Sequence, residues 1–125
     1  MTKRMRSFRK ALVRFREILD EPRTHITRDA AILRFEFCFE LAWKCIQETS
    51  SQAGFEANSP KTCLQIAFQQ GWIDEETGWL TALKDRNFCS HTYNEKLARK
   101  VIRHIPRHLK LMEGLAERLE KAGKE

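Results

Sequence analysis

Residues 28–51 carry apolar side chains on nearly every side of a helix, and this limits the possible fold more than any other feature of the chain. Ile32, Leu33, Phe35, Phe37, Cys38, Phe39, Leu41, Ala42, Trp43, Cys45 and Ile46 leave one continuous polar stripe, formed by Glu36, Glu40, Lys44 and Glu48. These four recur every fourth residue and so share one helical face. A helix that is apolar on its remaining sides must be covered there, either by its own bundle or by a second subunit. Along the stripe, the Glu40–Lys44 and Lys44–Glu48 pairs support the helix by a few tenths of a kcal/mol each. Glu36 and Glu40 repel one another, which invites a cation from elsewhere in the chain; Arg34 and Arg86 are the candidates.

The flanking segments supply the cover. Phe8, Ala11, Leu12, Phe15, Ile18 and Leu19 recur at helical spacing, and the first sixteen residues add seven Lys or Arg and no acid. That predicts an amphipathic first helix whose basic outer face is solvated. Pro22 ends it, and Thr27 is the expected N-cap of the apolar helix. Ser59-Pro60 reads as an N-cap followed by proline at the first helical position, opening a short helix that Gly71 closes. Asp74, Glu75 and Glu76 place acids at the positive end of the next helix, whose buried side is Trp79, Leu80, Leu83 and Phe88. Thr92-x-x-Glu95 matches a capping box, with Asn94 as a rival cap for the last helix. There Ala98, Val101, Ile105, His108, Met112, Leu115 and Leu119 form a heptad seam. Pro106 lies within that pattern and is expected to kink the helix rather than end it. The sum is an all-α chain, residues 1–125 in a single helical domain: an up-and-down four-helix bundle with one additional short helix.

Several function classes drop out. Cys38, Cys45, Cys63 and Cys89 show no C-x-x-C pairing, and three sit in apolar helical segments, so reduced buried thiols are expected rather than a disulfide framework. No apolar run follows the basic N-terminus as an export signal would require, and no stretch suits a membrane span, so a cytoplasmic location is expected. The formal charge of +6 suits an acidic partner but equally favours solubility.

What remains is Asp85-Arg86-Asn87-Phe88-Cys89-Ser90-His91-Thr92-Tyr93, a break between helical patterns that contains no Pro or Gly. On an unbroken helix Arg86 and Ser90 would share a face, and so would Asn87 and His91. If the helix ends near Cys89, the turn can swing His91 back beside Arg86. A guanidinium binds phosphate bidentately and stabilises developing negative charge, while an imidazole moves protons near neutral pH. That inventory suits metal-independent RNA cleavage by the adjacent 2′-hydroxyl. On spacing alone, an Arg and a His at a helix end also serve as caps.

Three segments, RFEFCFELAWK at 34–44, SPKTCLQIAFQQGWI at 59–73 and KDRNFCSHTYNEKLA at 84–98, carry a resemblance to the nucleotidyltransferase substrate-binding protein family of the HEPN superfamily. The resemblance covers most of the chain and implies a homodimeric helical bundle with paired R-x4-H-x-Y motifs in a cleft. It implies that Arg86 and His91 are catalytic in a toxin that cleaves RNA without metal or other cofactor. It further implies a minimal nucleotidyltransferase as cognate antitoxin, silencing the toxin by AMP transfer to Tyr93. Adding charge and bulk beside Arg86 would block RNA. Asn87, Glu36 and Glu40 would support the site. The basic stripe of Lys96, Lys100, Arg103, Arg107 and Lys110 just after the motif reads equally as a track that guides RNA and as a solvated face. The alternative is a non-catalytic subunit that binds a nucleotide or substrate for a two-component nucleotidyltransferase.

Two further groupings read as structural. His104 and His108 share a helical face, but the sequence shows no third metal ligand beside them. Trp43, Trp72 and Trp79 lie on or beside apolar faces and are expected in the core rather than stacked on bases.

Overall fold

The computed structural model describes residues 1–124, and every regular element among them is helical. The α-helices are α1 (Lys3–Leu19), α2 (His25–Gln52), α3 (Pro60–Gln69), α4 (Glu76–Phe88) and α5 (Glu95–Lys124), with a 3-10 turn (Cys89–His91) between the last two. Helices α1, α2, α4 and α5 form the bundle, and the short α3 packs against α2 and α4. None of the described helices is long and apolar enough to cross a membrane.

Local chemistry sets the helix ends. Thr24, not Thr27, caps α2: its hydroxyl accepts from Thr27 N at 3.1 Å, and Thr27 Oγ1 accepts in return from Thr24 N at 2.8 Å. Thr27 thus fills the third position of a capping box, where Glu or Gln is usual. Ser59 caps α3 as expected, with Pro60 next; Gly71 follows the C-cap residue Gln70 at φ +79°, a left-handed conformation that glycine adopts without steric cost. At α5 the rival cap operates, since Asn94 Oδ1 accepts from Lys96 N and Leu97 N at 3.0 and 3.3 Å. Thr92 instead donates to Cys89 O in the turn before it. Helix α5 continues through Pro106, which is exposed.

The α5 seam is buried at all seven expected positions, Ala98 through Leu119. It closes on Phe8, Leu12 and Phe15 of α1 and on Phe35, Phe39, Ala42 and Ile46 of α2. Burying a Phe or Ile side chain of this kind contributes about 1.5–3 kcal/mol. A chain of rings joins the helices: Phe15, Phe35, Phe39 and Trp79 follow one another at centroid spacings of 6.4, 6.1 and 6.5 Å. On α4 the buried stripe is Gly78, Trp79, Ala82 and Asp85; Leu80, expected inside, is largely exposed because it lies one residue, or about 100°, past Trp79. Part of the basic face of α1 meets acids rather than water alone: Arg9 pairs with Glu120 and Arg16 with Glu113, both on α5.

Cover for α2 is incomplete. Leu33 and Phe37, one turn apart, are 49% and 47% exposed on a face left open by the other helices.

Candidate functional site

The open face of α2 adjoins the C-terminal turn of α4, where successive side chains diverge by about 100°. Asp85 points into the bundle, Arg86 toward α2 and Asn87 outward. Arg86 Nε donates to Glu40 Oε1 at 2.7 Å, Nη2 donates to the same oxygen, and Nη1 reaches Asn87 Oδ1 at 3.3 Å. The other carboxylate oxygen of Glu40 accepts from Trp43 Nε1 at 3.1 Å. Arg86, rather than Arg34, is therefore the cation that answers the acidic stripe. The Glu40–Lys44 and Lys44–Glu48 pairs do not form among the described residues; Lys44 Nζ lies 6.0 Å from the Trp43 ring centroid instead. The guanidinium and the indole meet both oxygens of Glu40, which accounts for the first pair alone.

Arg86 sits in an open pocket of about 490 Å³ lined by Glu36, Phe37, Glu40, Asn87 and Ser90. Five guanidinium N–H groups are available, and the contacts to Glu40 and Asn87 use three. Two remain for a ligand. The pocket carries two carboxylates against one guanidinium, so an anionic ligand needs further cations from beyond it. Glu36 lines the wall without a described hydrogen bond to Arg86.

His91 is neither bonded to Arg86 nor part of the pocket lining among the described residues. Phe88 and Cys89 keep right-handed helical dihedrals, so the 3-10 turn prolongs the helix axis rather than reversing it. Ser90, four residues after Arg86, consequently lines the pocket, and no hydrogen bond joins Arg86 to His91 among the described residues. His91 is exposed with its ring edge-on to Tyr93, centroids 6.1 Å apart, and Tyr93 is 86% exposed. Lys96 is exposed and Lys100 lies over the Phe88 ring at 5.7 Å; neither lines the pocket. Further along the stripe, Arg107 donates to Glu75 at 3.1 Å.

Directly behind Arg86 lies a cluster that sequence reasoning missed. Asp85, 1% exposed, takes contacts on a single oxygen: His104 Nδ1 at 2.8 Å and His108 Nε2 at 2.7 Å from Oδ2. The absent third partner of the two histidines was on another helix. One signal existed, an aspartate at the end of the otherwise apolar stripe Gly78, Trp79, Ala82. His108 stacks on Phe35, centroids 4.9 Å apart, and its Nδ1 is buried without a partner. Its proton therefore belongs on Nε2, facing the carboxylate.

All four cysteines are free, as expected. Burial pushes Cys38, Cys45 and Cys89 up to about 12 and Cys63 to about 11, the charges of Glu36 and Asp85 adding to the effect at Cys89. None is a ready nucleophile at neutral pH. Trp72 and Trp79 are buried and Trp43 is half-buried, which leaves no exposed indole for base stacking.

Comparison with known proteins supports the fold and identifies a family. The family described as nucleotidyltransferase substrate binding protein like matches residues 3–121. A crystal structure of a Thermus thermophilus protein is 38% identical, covering 90% of this chain and 98% of that one, with a TM-score of 0.84. A Haemophilus influenzae protein is 25% identical with a TM-score of 0.70, covering 94% of both chains. Its structure is described as revealing the fold of a substrate binding domain of a nucleotidyltransferase. No curated protein matches the chain.

Proposed function

The chain belongs to the nucleotidyltransferase substrate binding protein like family, and from that premise we propose that it is the helical binding subunit of a two-component system completed by a separate nucleotidyltransferase. The observation that carries this reading is the pocket at Arg86. A guanidinium held by Glu40 and Asn87 keeps two N–H groups for a phosphate oxygen, and the half-exposed ring of Phe37 offers an apolar wall for a base. A nucleotide is the ligand class that uses both.

Self-association completes the site. Leu33 and Phe37 form an open apolar strip on α2 beside the pocket. Pairing two copies along Leu33 and the outer edge of Phe37 leaves the pocket side of that ring to the base and brings the cations of a second chain to a pocket that alone carries excess negative charge.

Binding of AMP and ATP to the purified chain, followed by calorimetry, tests the reading: binding is expected in the wild type and lost in Arg86→Ala. Equal affinity in a folded Arg86→Ala protein would overturn it.

A second reading is favoured by the Arg86-Asn87…His91-x-Tyr93 pattern, with His91 and Tyr93 both exposed. This is a HEPN-type ribonuclease toxin. His91 takes the proton of a ribose 2′-hydroxyl, whose oxygen attacks the adjacent phosphorus. Arg86 stabilises the charge that develops there as the 5′-oxygen leaves. Because Arg86 and His91 of one chain are not bonded, this reading requires two motifs to meet across a homodimer. Silencing follows when the Tyr93 hydroxyl attacks the α-phosphorus of ATP on the antitoxin, releasing pyrophosphate. Expression alone and beside the cognate nucleotidyltransferase separates the two readings. Toxicity relieved together with an AMP adduct on Tyr93 supports the ribonuclease, and harmless expression with a stable complex supports the binding subunit.

A further inference from the structure

Asp85, His104 and His108 use chemistry that neither reading of the Arg86 pocket requires. We propose that these three side chains form a site for a divalent transition-metal ion of the zinc type, fastening α4 to α5. His104 and His108 lie one turn apart on α5 and face α4 together, the i, i+4 arrangement in which two imidazoles share one ion. His104 Nδ1, His108 Nε2 and a carboxylate oxygen of Asp85 all lie within 4.8 Å of one another.

The cluster is already close to the size an ion demands. Tetrahedral bonds of about 2.0–2.2 Å from nitrogen and carboxylate oxygen set neighbouring donors about 3.3–3.6 Å apart. The observed separations from Asp85 Oδ2 are 2.8 and 2.7 Å, so the cluster opens by roughly 0.5–0.9 Å to admit an ion. In the metal-free protein both ring nitrogens must carry hydrogen, because an ionised carboxylate only accepts. Metal binding moves each hydrogen to the other nitrogen of its ring. For His104, 37% exposed at its side chain, the hydrogen then sits on Nε2 and donates to solvent, and the same exposure gives an ion its entry and a water its place in the coordination shell. For His108 it arrives at Nδ1, which is buried and has no partner. Ligands without such an outer acceptor hold metal about 10- to 100-fold more weakly, which makes this a moderate rather than a permanent site.

Two nitrogens and one oxygen suit zinc or cobalt over magnesium or calcium, which take oxygen donors. A metal would also offset the charge of a carboxylate that the fold buries almost completely. The bland account is that two histidine hydrogen bonds suffice to satisfy Asp85, and the two accounts make opposite predictions.

The test uses the full chain, untagged and stripped by a chelator. Titration with Co²⁺ should develop visible d–d absorption that saturates at one equivalent, be reversed by Zn²⁺ and resist excess Mg²⁺, and metal loading should raise Tm. His104→Ala, at a partly exposed position, should stay folded and weaken Co²⁺ binding by about 10- to 100-fold or more. Asp85→Asn should weaken it as well, while His25→Ala, at an exposed histidine outside the cluster, should not. Absence of stoichiometric Co²⁺ binding, or unchanged affinity in folded His104→Ala, leaves hydrogen bonds as the sole role of the cluster and overturns the proposal. Loss of binding on His25→Ala would assign the metal to the surface and overturn it too. None of these outcomes depends on what the Arg86 pocket binds.

Discussion

Arg86 Nε reaches Glu40 Oε1 at 2.7 Å across a sequence separation of 46 residues, joining the last turn of α4 to the middle of α2. Both side chains are about a third exposed, so solvent screens part of the attraction. Charge-assisted hydrogen bonds contribute more than neutral ones, and screening brings this pair to about 1 kcal/mol. A double-mutant cycle with Glu40→Gln and Arg86→Met should return a coupling near that value in thermal or urea melts. Strict additivity would mean the pair positions Arg86 without stabilising the fold.

Asp85 presents a harsher case, because its carboxylate is 1% exposed and His108 opposite is equally buried. Removing one member of such a pair strands the other. Asp85→Ala should therefore cost about 3 kcal/mol or more, whereas His104→Ala, partly exposed, should cost about 1 kcal/mol. Urea denaturation of the two variants checks the order.

The buried thiols set an alkaline limit. Cys38 and Cys45 are pushed from 9.0 to about 12 by burial. Unfolding returns them to their ordinary value, so between pH 9 and about 12 the unfolded chain has released protons that the native chain retains. Stability is intact below pH 9 and falls as pH rises, each thiol removing up to about 1.4 kcal/mol per pH unit. Melting curves from pH 8 to 10.5 should show that decline, and iodoacetamide at pH 8 should label these thiols only after denaturation.

On the open face of α2, Leu33→Ser with Phe37→Ser should shift the chain toward monomer in light scattering while preserving helicity. An unchanged mass would exclude this strip as the contact between copies. Each side chain is half-exposed, so stability should change by less than about 1 kcal/mol.

Gly71 adopts φ +79° immediately after the C-cap of α3. An added Cβ meets no neighbour there, so the penalty of Gly71→Ala is conformational alone. A loss of about 1 kcal/mol is expected in thermal melts.

What the sequence determined by itself is what repeats over three or four residues. The α5 seam, the core face of α1 and the Ser59-Pro60 start were all legible because a helix maps sequence spacing directly onto a face. Which of two nearby polar residues would cap was less so: Thr24 displaced Thr27, and Asn94 prevailed over Thr92, because candidates two or three residues apart satisfy the same local rule. Tertiary structure alone decided everything that depends on two helices meeting. It chose Arg86 over Arg34 for Glu40, and it continued the helical sense through the 3-10 turn, which leaves Arg86 and His91 without a hydrogen bond between them. It also set Asp85 against two histidines 19 and 23 residues farther along. Periodicity fixes the face a side chain occupies, but only packing fixes what stands opposite it, and the chemistry of this protein lies between opposing faces.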